Sequence, residues 1–517
     1  SMDSGVDLNH PDLGPQWRGG SNSWFDPNGE HATPADRDGH GTAVMGVMVG
    51  GSAGGTAIGV APDAQWIAVK IFDNGGQASL SGIHRGFQWL LDPDDDPDTD
   101  DAPDVVNNSW GLEGTPGACI DEGNADFHDD IQLLKSAGIA VVFAAGNQGP
   151  LQDTSLSPGN YQEAYAVGAV DAHQRIADFS GRGPSACDQT VYPELVAPGV
   201  GIRSSDLTPP GFPPQYLVSS GTSLAAPHVA GALALLRSAF PGRTAADLEE
   251  ALQQSARDLG GIGPDNDYGF GLVDAAQALL AMSRSRVGVF RGGKWYLDAS
   301  GNGAWDAAVD LAYGSFGMTG DLPVVGDFDG DGVDQIAVFR AGQWYVDTNG
   351  NGAWDAGDAV YSFGQAGDLP VVGDFDGNGV DQLAVFRAGR WYVDTNGNGA
   401  WDAGDAVYSF GQGGDLPVVG DFDGDGVDQI AVFRADKWYV DTNGSGVWDA
   451  GDAVYSFGQR GDLPVVGDFD GNGVDQIAVF RAGNWYVDLD GNGGWNPGND
   501  ALYSFGQVED KPVAGRW

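Results

Sequence analysis

Three short segments place an aspartate, a histidine and a serine next to glycines. Asp3 opens the segment D-S-G-V, His40 lies in D-G-H-G-T, and Ser223 lies in G-T-S-L-A-A-P-H. A serine hydroxyl is a weak nucleophile unless an imidazole takes its proton, and a buried carboxylate must hold that imidazole in the required tautomer. The three segments, which we expect to be turns, therefore predict nucleophilic acyl-transfer chemistry if the fold brings these side chains together.

The motifs around these residues resemble a known family. The order Asp, His, Ser along the chain is that of the subtilisin-like serine peptidases, the subtilases. Residues 1–280 resemble this family, and G-T-S-L-A-A-P-H is the most specific motif of the resemblance. The segments N-N-S-W-G, F-S-G-R-G-P-S and G-I-R-S-S are similar to the bacillopeptidase F-like branch. The resemblance implies a secreted serine endopeptidase that acts on proteins or peptides.

The resemblance also implies catalytic roles for single residues. Ser223 corresponds to the nucleophile, His40 to the general base and then acid, and Asp3 to the carboxylate that orients His40. Asn147, in A-A-G-N, corresponds to the amide that stabilises the oxyanion together with the backbone N–H of Ser223. The alternative for the same residues is an inactive protease-like domain in a binding or adhesion protein.

Two further segments correspond to substrate-binding parts of the family. Ser109, Trp110 and Gly111 match the extended stretch that pairs with the substrate backbone by strand addition. Leu156, in L-S-P-G, matches the wall of the primary specificity pocket, where its side chain would narrow the base and disfavour large basic residues. Two residues precede Asp3, fewer than in the family, so we expect a shortened first strand, and neither a signal peptide nor a propeptide is recognisable.

The elements that must position these residues follow an alternating pattern in the first half. Apolar runs at 66–72, 105–109, 139–145 and 165–170 predict strands, and amphipathic patterns at 80–91, 126–137 and 222–240 predict helices. Alternating strands and helices indicate a parallel sheet with helices on both faces. Catalytic groups in such α/β folds lie at the carboxyl ends of the strands.

The second half, residues 286–517, consists of internal repeats. The segment D-L-P-V-V-G-D-F-D-G begins at 321, 368, 415 and 462, a period of 47 residues, and each copy offers four short strand patterns. Four strands per repeat predict the blades of a β-propeller, with a β-solenoid as the alternative. The repeats begin and end within a unit, so we predict five blades, with 511–517 pairing beside 287–291 to close the ring. We place the domain boundary between residues 285 and 286.

Each repeat contains two loops with alternating oxygen-bearing residues. The first type, here called the Trp loop, follows D-x-N-G-N-G-x-W-D-x-x-D, with oxygens at positions 1, 3, 5, 9 and 12 and glycine at position 6, as in an EF-hand loop. The candidate calcium ligands of three Trp loops are Asp347, Asn349, Asn351, Asp355, Asp358, Asp394, Asn396, Asn398, Asp402, Asp405, Asp441, Asn443, Ser445, Asp449 and Asp452. The first and last copies have Val309 and Asn499 at position 12, so we expect them to bind calcium more weakly.

The second type, here called the DFDG loop, follows D-F-D-G-[DN]-G-V-D. Asp327, Asp329 and Asp331 are its candidate ligands, and the pattern resembles the calcium loops of FG-GAP/VCBS propellers. Gln335 stands where those loops have a further aspartate. Because Asp, Asn and Gly are also turn residues, metal-free turns are the alternative for both loop types.

Composition excludes some partners and suggests an environment. The chain has 73 acidic and 24 basic residues, a net charge of -49, which excludes attraction to nucleic acid. No apolar run is long enough to span a bilayer. The cysteines, Cys119 and Cys187, are predicted to form a disulfide across two loops bordering the cleft, which suits an extracellular location. We expect a monomer, and a glycan ligand stacking on the repeated Trp-Tyr pairs is a further alternative.

Overall fold

A parallel sheet of seven strands forms the centre of the first part of the chain. The structure is a computed structural model that describes residues 1–112, 114, 117–121, 123, 126–209 and 212–517. The chain forms two compact units, Ser1–Ala239 with Arg243–Ala278, and Phe240–Gly242 with Leu279–Trp517. The boundary expected at 285/286 stays a prediction. Within the described residues, no helix combines the length and the apolar character needed to cross a bilayer.

The sheet of the first unit has the strand order β2-β3-β1-β4-β5-β6-β7, with all neighbours parallel. Its strands are β1 (Met2–Asp3), β2 (Trp24–Phe25), β3 (Ala68–Lys70), β4 (Val105–Asn108), β5 (Ala140–Ala144), β6 (Tyr165–Val170) and β7 (Leu195–Pro198). A separate hairpin joins β8 (Ile202–Ser205) to β9 (Tyr216–Ser219). The predicted α/β fold with a parallel sheet is confirmed.

Helices pack against this sheet. They are α1 (His40–Val49), α2 (Leu80–Leu91), α3 (His128–Ser136), α4 (Thr222–Ala239) and α5 (Ala245–Ser255), and a sixth helix, α6 (Ala275–Ser283), follows in the chain. The Ser79 side chain caps α2 by accepting a hydrogen bond from Gly82 N, and the apolar face of α2 joins α3 in a core cluster on the sheet. Helix α4 packs against α1 and against four central strands, β4 to β7. These helices hold the carboxyl ends of β1, β4 and β5 in place.

The second unit is a ring of five four-stranded antiparallel sheets. The first blade contains β10 (Arg286–Arg291), β11 (Lys294–Leu297), β12 (Leu311–Tyr313) and β29 (Lys511–Gly515). The second blade contains β13 (Leu322–Gly326), β14 (Gln335–Arg340), β15 (Gln343–Val346) and β16 (Ala359–Tyr361), and the third contains β17 (Leu369–Gly373), β18 (Gln382–Arg387), β19 (Arg390–Val393) and β20 (Ala406–Tyr408). The fourth contains β21 (Leu416–Gly420), β22 (Gln429–Arg434), β23 (Lys437–Val440) and β24 (Ala453–Tyr455), and the fifth contains β25 (Leu463–Gly467), β26 (Gln476–Arg481), β27 (Asn484–Val487) and β28 (Ala501–Tyr503).

The last strand closes the ring. β29 pairs antiparallel with β10, from Arg286 opposite Gly515 to Phe290 opposite Lys511, as the repeats predicted. The β-strands β13, β17, β21, β25 and β29 contact one another in sequence around the ring, and β29 also contacts β13. Because the first and last strands of this unit share one blade, no blade of the described unit lacks its fourth strand, and the five-bladed propeller is confirmed.

Each blade repeats the same internal contacts. In the second blade Trp344 is fully buried and its Nε1 donates to Phe363 O at 2.8 Å. Arg340 makes two hydrogen bonds, of 2.7 and 2.6 Å, to the buried Asp321 carboxylate and lies over the ring of Tyr345. The buried tryptophans of the Trp-Tyr pairs are core residues, so their indoles are not available for stacking on sugar rings.

Candidate active site and metal-binding loops

The carboxylate of Asp3 and the imidazole of His40 meet at the carboxyl end of β1. Asp3 is the last residue of β1 and is 2% exposed. Its Oδ1 accepts hydrogen bonds from Ser4 N at 2.6 Å and from His40 Nδ1 at 2.8 Å. A proton held on Nδ1 by this carboxylate leaves the lone pair of Nε2 available. The pair therefore orients His40 to take a proton on Nε2.

The same carboxylate changes the protonation of His40. The negative charge of Asp3 is the largest cause that raises the pKa of His40 from 6.5 to about 9; burial acts in the opposite direction, and the hydrogen bond that His40 donates to Asp3 adds to the increase. The charges of Asp38 and Asp36 contribute in the same direction. The imidazolium form is therefore strongly stabilised, which is the form His40 adopts after it takes a proton.

Asp36 holds the beginning of helix α1, and the sequence analysis did not identify it. Its carboxylate accepts hydrogen bonds from Asp38 N, Gly39 N, Thr42 N, Thr42 Oγ1 and Ser4 Oγ, all between 2.7 and 3.1 Å. Burial would raise the pKa of Asp36, but these donors outweigh it and hold the pKa below its ordinary value. His40 begins a helix, not the turn expected from its glycines. The N-cap of α1 is Gly39, which makes no side-chain cap hydrogen bond, so the sequence carries no ordinary capping signal for this helix.

The first turn of α1 also lies against the chain that follows β1. A Cβ on Gly41 would lie 2.2 Å from Gly5 O, so only glycine fits at this position. Lys70, at the end of β3, is buried and its Nζ donates to Ser4 O at 3.0 Å. These contacts fix the backbone between Asp3 and Gly5, although β1 has two residues.

Ser223 is the second residue of α4 and lies beside Ser109. Its Oγ donates to Ser109 O at 3.2 Å, and Ser109 Oγ donates to Ser223 O at 2.8 Å. In the described residues, Ser223 Oγ thus bonds to a backbone carbonyl and not to His40. To act through His40, the hydroxyl must leave Ser109 O by rotation about its Cα–Cβ bond.

Two N–H donors adjoin the Ser223 hydroxyl. Asn147, which follows β5, accepts hydrogen bonds through Oδ1 from Thr222 N at 2.9 Å and from Thr222 Oγ1 at 3.0 Å. With Oδ1 occupied in this way, Nδ2 remains as the donor of this amide. The N–H of Ser223 lies in the first turn of α4, where backbone N–H groups have no carbonyl of their own helix to bind. A methyl group on Gly221 would lie 3.7 Å from Ser223 N and 3.8 Å from Asn147 Nδ2, so the two nitrogens lie near the same point.

A cleft of about 500 Å³ is lined by Asp3, His40, Ser109, Trp110 and Gly111 among others. The Trp110 side chain is buried against Phe87, Phe127 and Phe143, so the backbone of this segment is what a substrate can reach. The predicted stretch thus lies beside Asp3 and His40, but its indole belongs to the core.

Leu156 fills a slot between two glycines of the cleft. A Cβ on Gly111 would lie 2.3 Å from Leu156 Cδ2, and a Cβ on Gly146 would lie 3.0 Å from Leu156 Cβ. The two backbones therefore enclose the leucine side chain closely. Cys119 and Cys187 are bonded, with an S–S distance of 2.00 Å, and the adjacent Ile120 N donates to Ser157 Oγ next to Leu156.

The Trp loops of the second, third and fourth blades fold in the same way. The first-position residue, Asp347 in the second blade, is buried, and its Oδ2 accepts a hydrogen bond from Gly352 N at 2.7 Å. The twelfth-position residue, Asp358, accepts from Asp355 N through Oδ2 at 2.7 Å. Burial is the largest cause that raises the pKa of the first-position carboxyl in all five Trp loops. Water does not solvate these buried carboxylates, and a bound cation would stabilise their negative charge in its place.

The first and last Trp loops have Val309 and Asn499 at position 12, but both still place a carboxylate next to position 9. Each contains one additional residue, and the aspartate that follows occupies the equivalent place. Asp310 accepts from Asp306 N at 2.6 Å and Asp500 accepts from Asn496 N at 2.5 Å, as Asp358 does from Asp355 N. Counting at fixed spacing had selected Val309 and Asn499, but the fold places a carboxylate at the equivalent position in both loops, and the expectation of weaker calcium binding stays a prediction.

The DFDG loops are held by a glutamine. Oxygen atoms of Asp327, Asp329 and Asp331 lie within 4.8 Å of one another. Gln335 is buried, its Oε1 accepts from Phe328 N at 2.7 Å, and its Nε2 donates to Asp329 Oδ1 at 3.1 Å. The amide N–H of Gln335 thus lies against the cluster of three aspartates. A loop with aspartate at position 335 would offer a cation more oxygens than this loop does.

Comparison with known proteins agrees with this geometry. Residues 1–271 match the subtilase family (Peptidase_S8). Bacillopeptidase F of Bacillus subtilis (strain 168) is 38% identical in an alignment of 309 residues that covers 55% of this chain and 20% of that protein. Subtilisin E of the same organism is 35% identical over 279 residues, 54% of this chain and 64% of that protein. Subtilisin BL of Lederbergia lenta is 35% identical over 278 residues, 54% of this chain and 88% of that protein.

The similarity covers the first unit and leaves the propeller outside it. The chain spans one fifth of the length of bacillopeptidase F and 64% of subtilisin E. The family match covers 271 of 517 residues, more than half of the chain, and it includes Asp3, His40, Asn147 and Ser223. The chain belongs to the subtilase family.

Proposed function

We propose that this chain is a serine endopeptidase that hydrolyses peptide bonds in proteins or peptides. The observation that carries the proposal is the 2.8 Å hydrogen bond between His40 Nδ1 and the buried Asp3 carboxylate, in a cleft also lined by Ser109, the residue that bonds Ser223. This arrangement supplies a base in the correct tautomer beside a hydroxyl nucleophile. Asp3, His40 and Ser223 are the proposed catalytic residues.

Acylation begins when the Ser223 hydroxyl leaves Ser109 O and donates to His40 Nε2. As Oγ bonds to the substrate carbonyl carbon, its proton moves to Nε2, and Asp3 stabilises the imidazolium that forms. His40 then donates this proton to the leaving amine as the C–N bond breaks. Water attacks the acyl-enzyme in the second half of the reaction, with His40 again taking a proton and returning it to Ser223 Oγ.

Asn147 Nδ2 and Ser223 N are the proposed donors to the oxyanion. Thr222 supports this role because its N–H and hydroxyl bind Asn147 Oδ1 and so turn Nδ2 toward the cleft. Preorganised donors are worth more in the transition state than in the ground state, and loss of one such donor costs about 10²–10³ in rate.

The cleft beside these residues determines which substrates bind. We propose that the backbone of Ser109, Trp110 and Gly111 pairs with the substrate as an added strand. Leu156 occupies the slot between Gly111 and Gly146, so the side chain that precedes the cleaved bond has little room. We therefore propose a preference for small, uncharged residues at this position.

The propeller is proposed to bind structural calcium through its Trp loops. The fit rests on oxygens that the protein leaves without partners, since Asp358 Oδ1 and Asp452 Oδ1 are buried and, within the described residues, accept no hydrogen bond. Calcium ions would take carboxylate, amide and backbone oxygens from these loops. Asp327, Asp329 and Asp331 form a second candidate site of the FG-GAP/VCBS type, with weaker binding because Gln335 replaces an oxygen ligand with an N–H donor.

The surroundings proposed for this enzyme are extracellular. The bonded pair Cys119 and Cys187 supports an oxidising environment, and the net charge of -49 suits a medium that contains calcium. We propose a monomer with a peptidase domain, residues 1–285, and a propeller, residues 286–517.

Hydrolysis of casein and of a peptide anilide by the purified chain tests the proposal. Activity that disappears in Ser223→Ala, while the circular dichroism spectrum is unchanged, supports an endopeptidase. A well-folded chain with no activity in the presence of calcium would favour the alternative, a binding protein with an inactive protease-like domain.

A further inference from the structure

The Trp loop of the fifth blade, Asp488–Asp500, brings three carboxylates together. One of them, Asp500, lies one residue beyond the regular twelfth position of the repeats. Oxygen atoms of Asp488, Asp490 and Asp500 all lie within 4.8 Å of one another. No lysine or arginine occurs in the sequence between Arg481 and Lys511. We propose that this loop is a complete calcium site with Asp488, Asp490 and Asp500 as its charged ligands. The inference extends the calcium-binding part of the proposed function and is independent of the peptidase activity.

Two buried carboxylate oxygens in this loop accept no hydrogen bond within the described residues. Asp488 is 1% exposed; its Oδ2 accepts from Gly493 N at 2.7 Å, whereas its Oδ1 has no hydrogen-bond partner in the described residues. Asp500 accepts from Asn496 N through Oδ2, and its Oδ1 is likewise buried without a partner. A buried carboxylate oxygen without a donor costs free energy, and the shared space between the two can be filled by one cation.

The third carboxylate comes from an exchange of residue types within the loop. In the second blade position 3 is Asn349 and position 9 is Asp355, whereas the fifth blade has Asp490 and Asn496 at these positions. In both blades the amide donates to the carboxylate, Asn349 Nδ2 to Asp355 Oδ1 at 3.1 Å and Asn496 Nδ2 to Asp490 Oδ2 at 3.2 Å. The exchange keeps the number of carboxylates at three.

The remaining contacts of Asp490 leave it accessible to an ion. Its Oδ2 also accepts from Asn499 Nδ2 at 3.0 Å, and its Oδ1 accepts from Asn492 N at 3.3 Å. Asp490 is exposed, so these hydrogen bonds can be replaced by metal ligation at low cost. Rotation of the Asn496 amide by 180° would then direct its oxygen to the same ion.

The ligand chemistry selects calcium. All three charged ligands are carboxylates, and residues 286–517 contain no His or Cys, so metals that prefer nitrogen or sulfur are disfavoured. Two oxygens on opposite sides of one Ca²⁺ are about 5 Å apart, because each Ca–O distance is 2.3–2.6 Å. Three oxygens within 4.8 Å of one another can therefore share this ion. Mg²⁺ keeps more of its water and demands a stricter octahedron than such a loop offers.

The test compares Asp500→Asn with the matched control Asn499→Ala in the full chain, both in a Ser223→Ala background that prevents autolysis. After equilibration in calcium and gel filtration, elemental analysis gives the ions bound per chain, and calorimetric titration gives their affinities. We expect Asn499→Ala to bind as many ions as the parent. We expect Asp500→Asn to bind one ion fewer, or to lose at least about tenfold affinity at one site.

Equal stoichiometry and affinity in Asp500→Asn and the parent would overturn the inference, as would loss of an ion in Asn499→Ala. A parent chain that binds no calcium would overturn this inference together with the calcium part of the proposed function, whereas the peptidase assay is unaffected by either result. Asp490→Asn, a substitution at an exposed residue, serves if Asp500→Asn does not fold; the same loss of one ion is expected, and unchanged binding would contradict the proposal.

Discussion

The imidazole of His40 must be neutral before it can take a proton from Ser223. The charge of Asp3 raises the pKa of His40 to about 9, so a large part of the free enzyme carries imidazolium at pH 7. We predict that kcat/KM for a peptide anilide rises with pH, by roughly tenfold or more between pH 7 and pH 9, because only the neutral form is a base. A pH profile of kcat/KM measures this directly, and a rising limb centred at or below pH 6.5 would contradict it.

The same shift affects stability in the opposite direction. A histidine whose pKa is raised in the folded state stabilises the fold fully below its unfolded value of about 6.5. That contribution is lost as the pH rises through about 9. The enzyme is therefore expected to be most active where the Asp3–His40 pair contributes least to stability.

Leu156 gives a prediction on specificity. Leu156→Gly empties the slot between Gly111 and Gly146, so a large side chain of the substrate can enter it. We expect kcat/KM for an anilide with phenylalanine before the cleaved bond to rise at least about tenfold relative to the alanine substrate, since hydrophobic pocket contacts of this size are worth 10–200-fold. Leu151→Gly, a change of an exposed leucine in the same region, is the control and should leave the ratio unchanged. Equal ratios in the two variants would refute the assignment.

Some residues of the site could be predicted from sequence motifs, and others could be identified only from the folded structure. Asp3, His40 and Ser223 are found from the sequence because nucleophilic catalysis needs these types together. Asp36 and Thr222 were not found, because both act through backbone and side-chain hydrogen bonds that depend on the folded geometry. Trp110 was assigned to substrate binding by its position in a motif, but its indole is in an aromatic cluster that no motif shows.

Among the elements, strand β29 carries the clearest prediction. Val513 of β29 is buried in a cluster with Phe290 and Trp295, whereas Val508, five residues earlier, is 74% exposed. Val513→Asp places an unpaired charge in this core at a cost of several kcal/mol. One kcal/mol shifts the Tm of a unit of this size by about 2–4 °C, so a decrease on the order of 10 °C is expected.

The control for this change is Val508→Asp, which should leave the Tm within about 1–2 °C because exposed substitutions have small effects. Thermal unfolding followed by circular dichroism, in the Ser223→Ala background, makes the comparison. Similar Tm values for the two variants would mean that β29 does not close a cooperative ring.

The elements themselves were predicted with uneven success, for physical reasons. Helix α2 and strand β6 were predicted with their observed bounds, Leu80–Leu91 and Tyr165–Val170. The helix has an apolar face of regular period, and the strand is a short continuous apolar run, as is usual in a parallel sheet buried on both faces. Helix α1 was missed because its buried residues surround the whole helix and leave no amphipathic pattern. Asp310 and Asp500, the equivalents of the twelfth-position residue in the first and fifth Trp loops, were missed because a single inserted residue changes the count but not the contact with position 9.

At the scale of the whole molecule, the large excess of acidic residues must be compensated. The net charge of -49 and the buried first-position carboxylates of the Trp loops would destabilise the folded chain without cations. We predict that excess chelator lowers the Tm of the Ser223→Ala chain by many degrees, since ligand binding to the folded state stabilises it. Added Ca²⁺ should restore the Tm and Mg²⁺ should do so poorly. An unchanged melting curve in chelator, with no metal found by elemental analysis, would leave the loops as metal-free turns.

The central claim is that Ser223 is a nucleophile activated by His40. The most direct measurement is covalent labelling of the whole chain with a fluorophosphonate at pH 9, followed by mass spectrometry of its peptides. The account predicts one adduct per chain, located on Ser223, formed in the wild-type chain and not in His40→Ala. Absence of an adduct in the folded wild-type chain, or a label on another residue, would contradict the account.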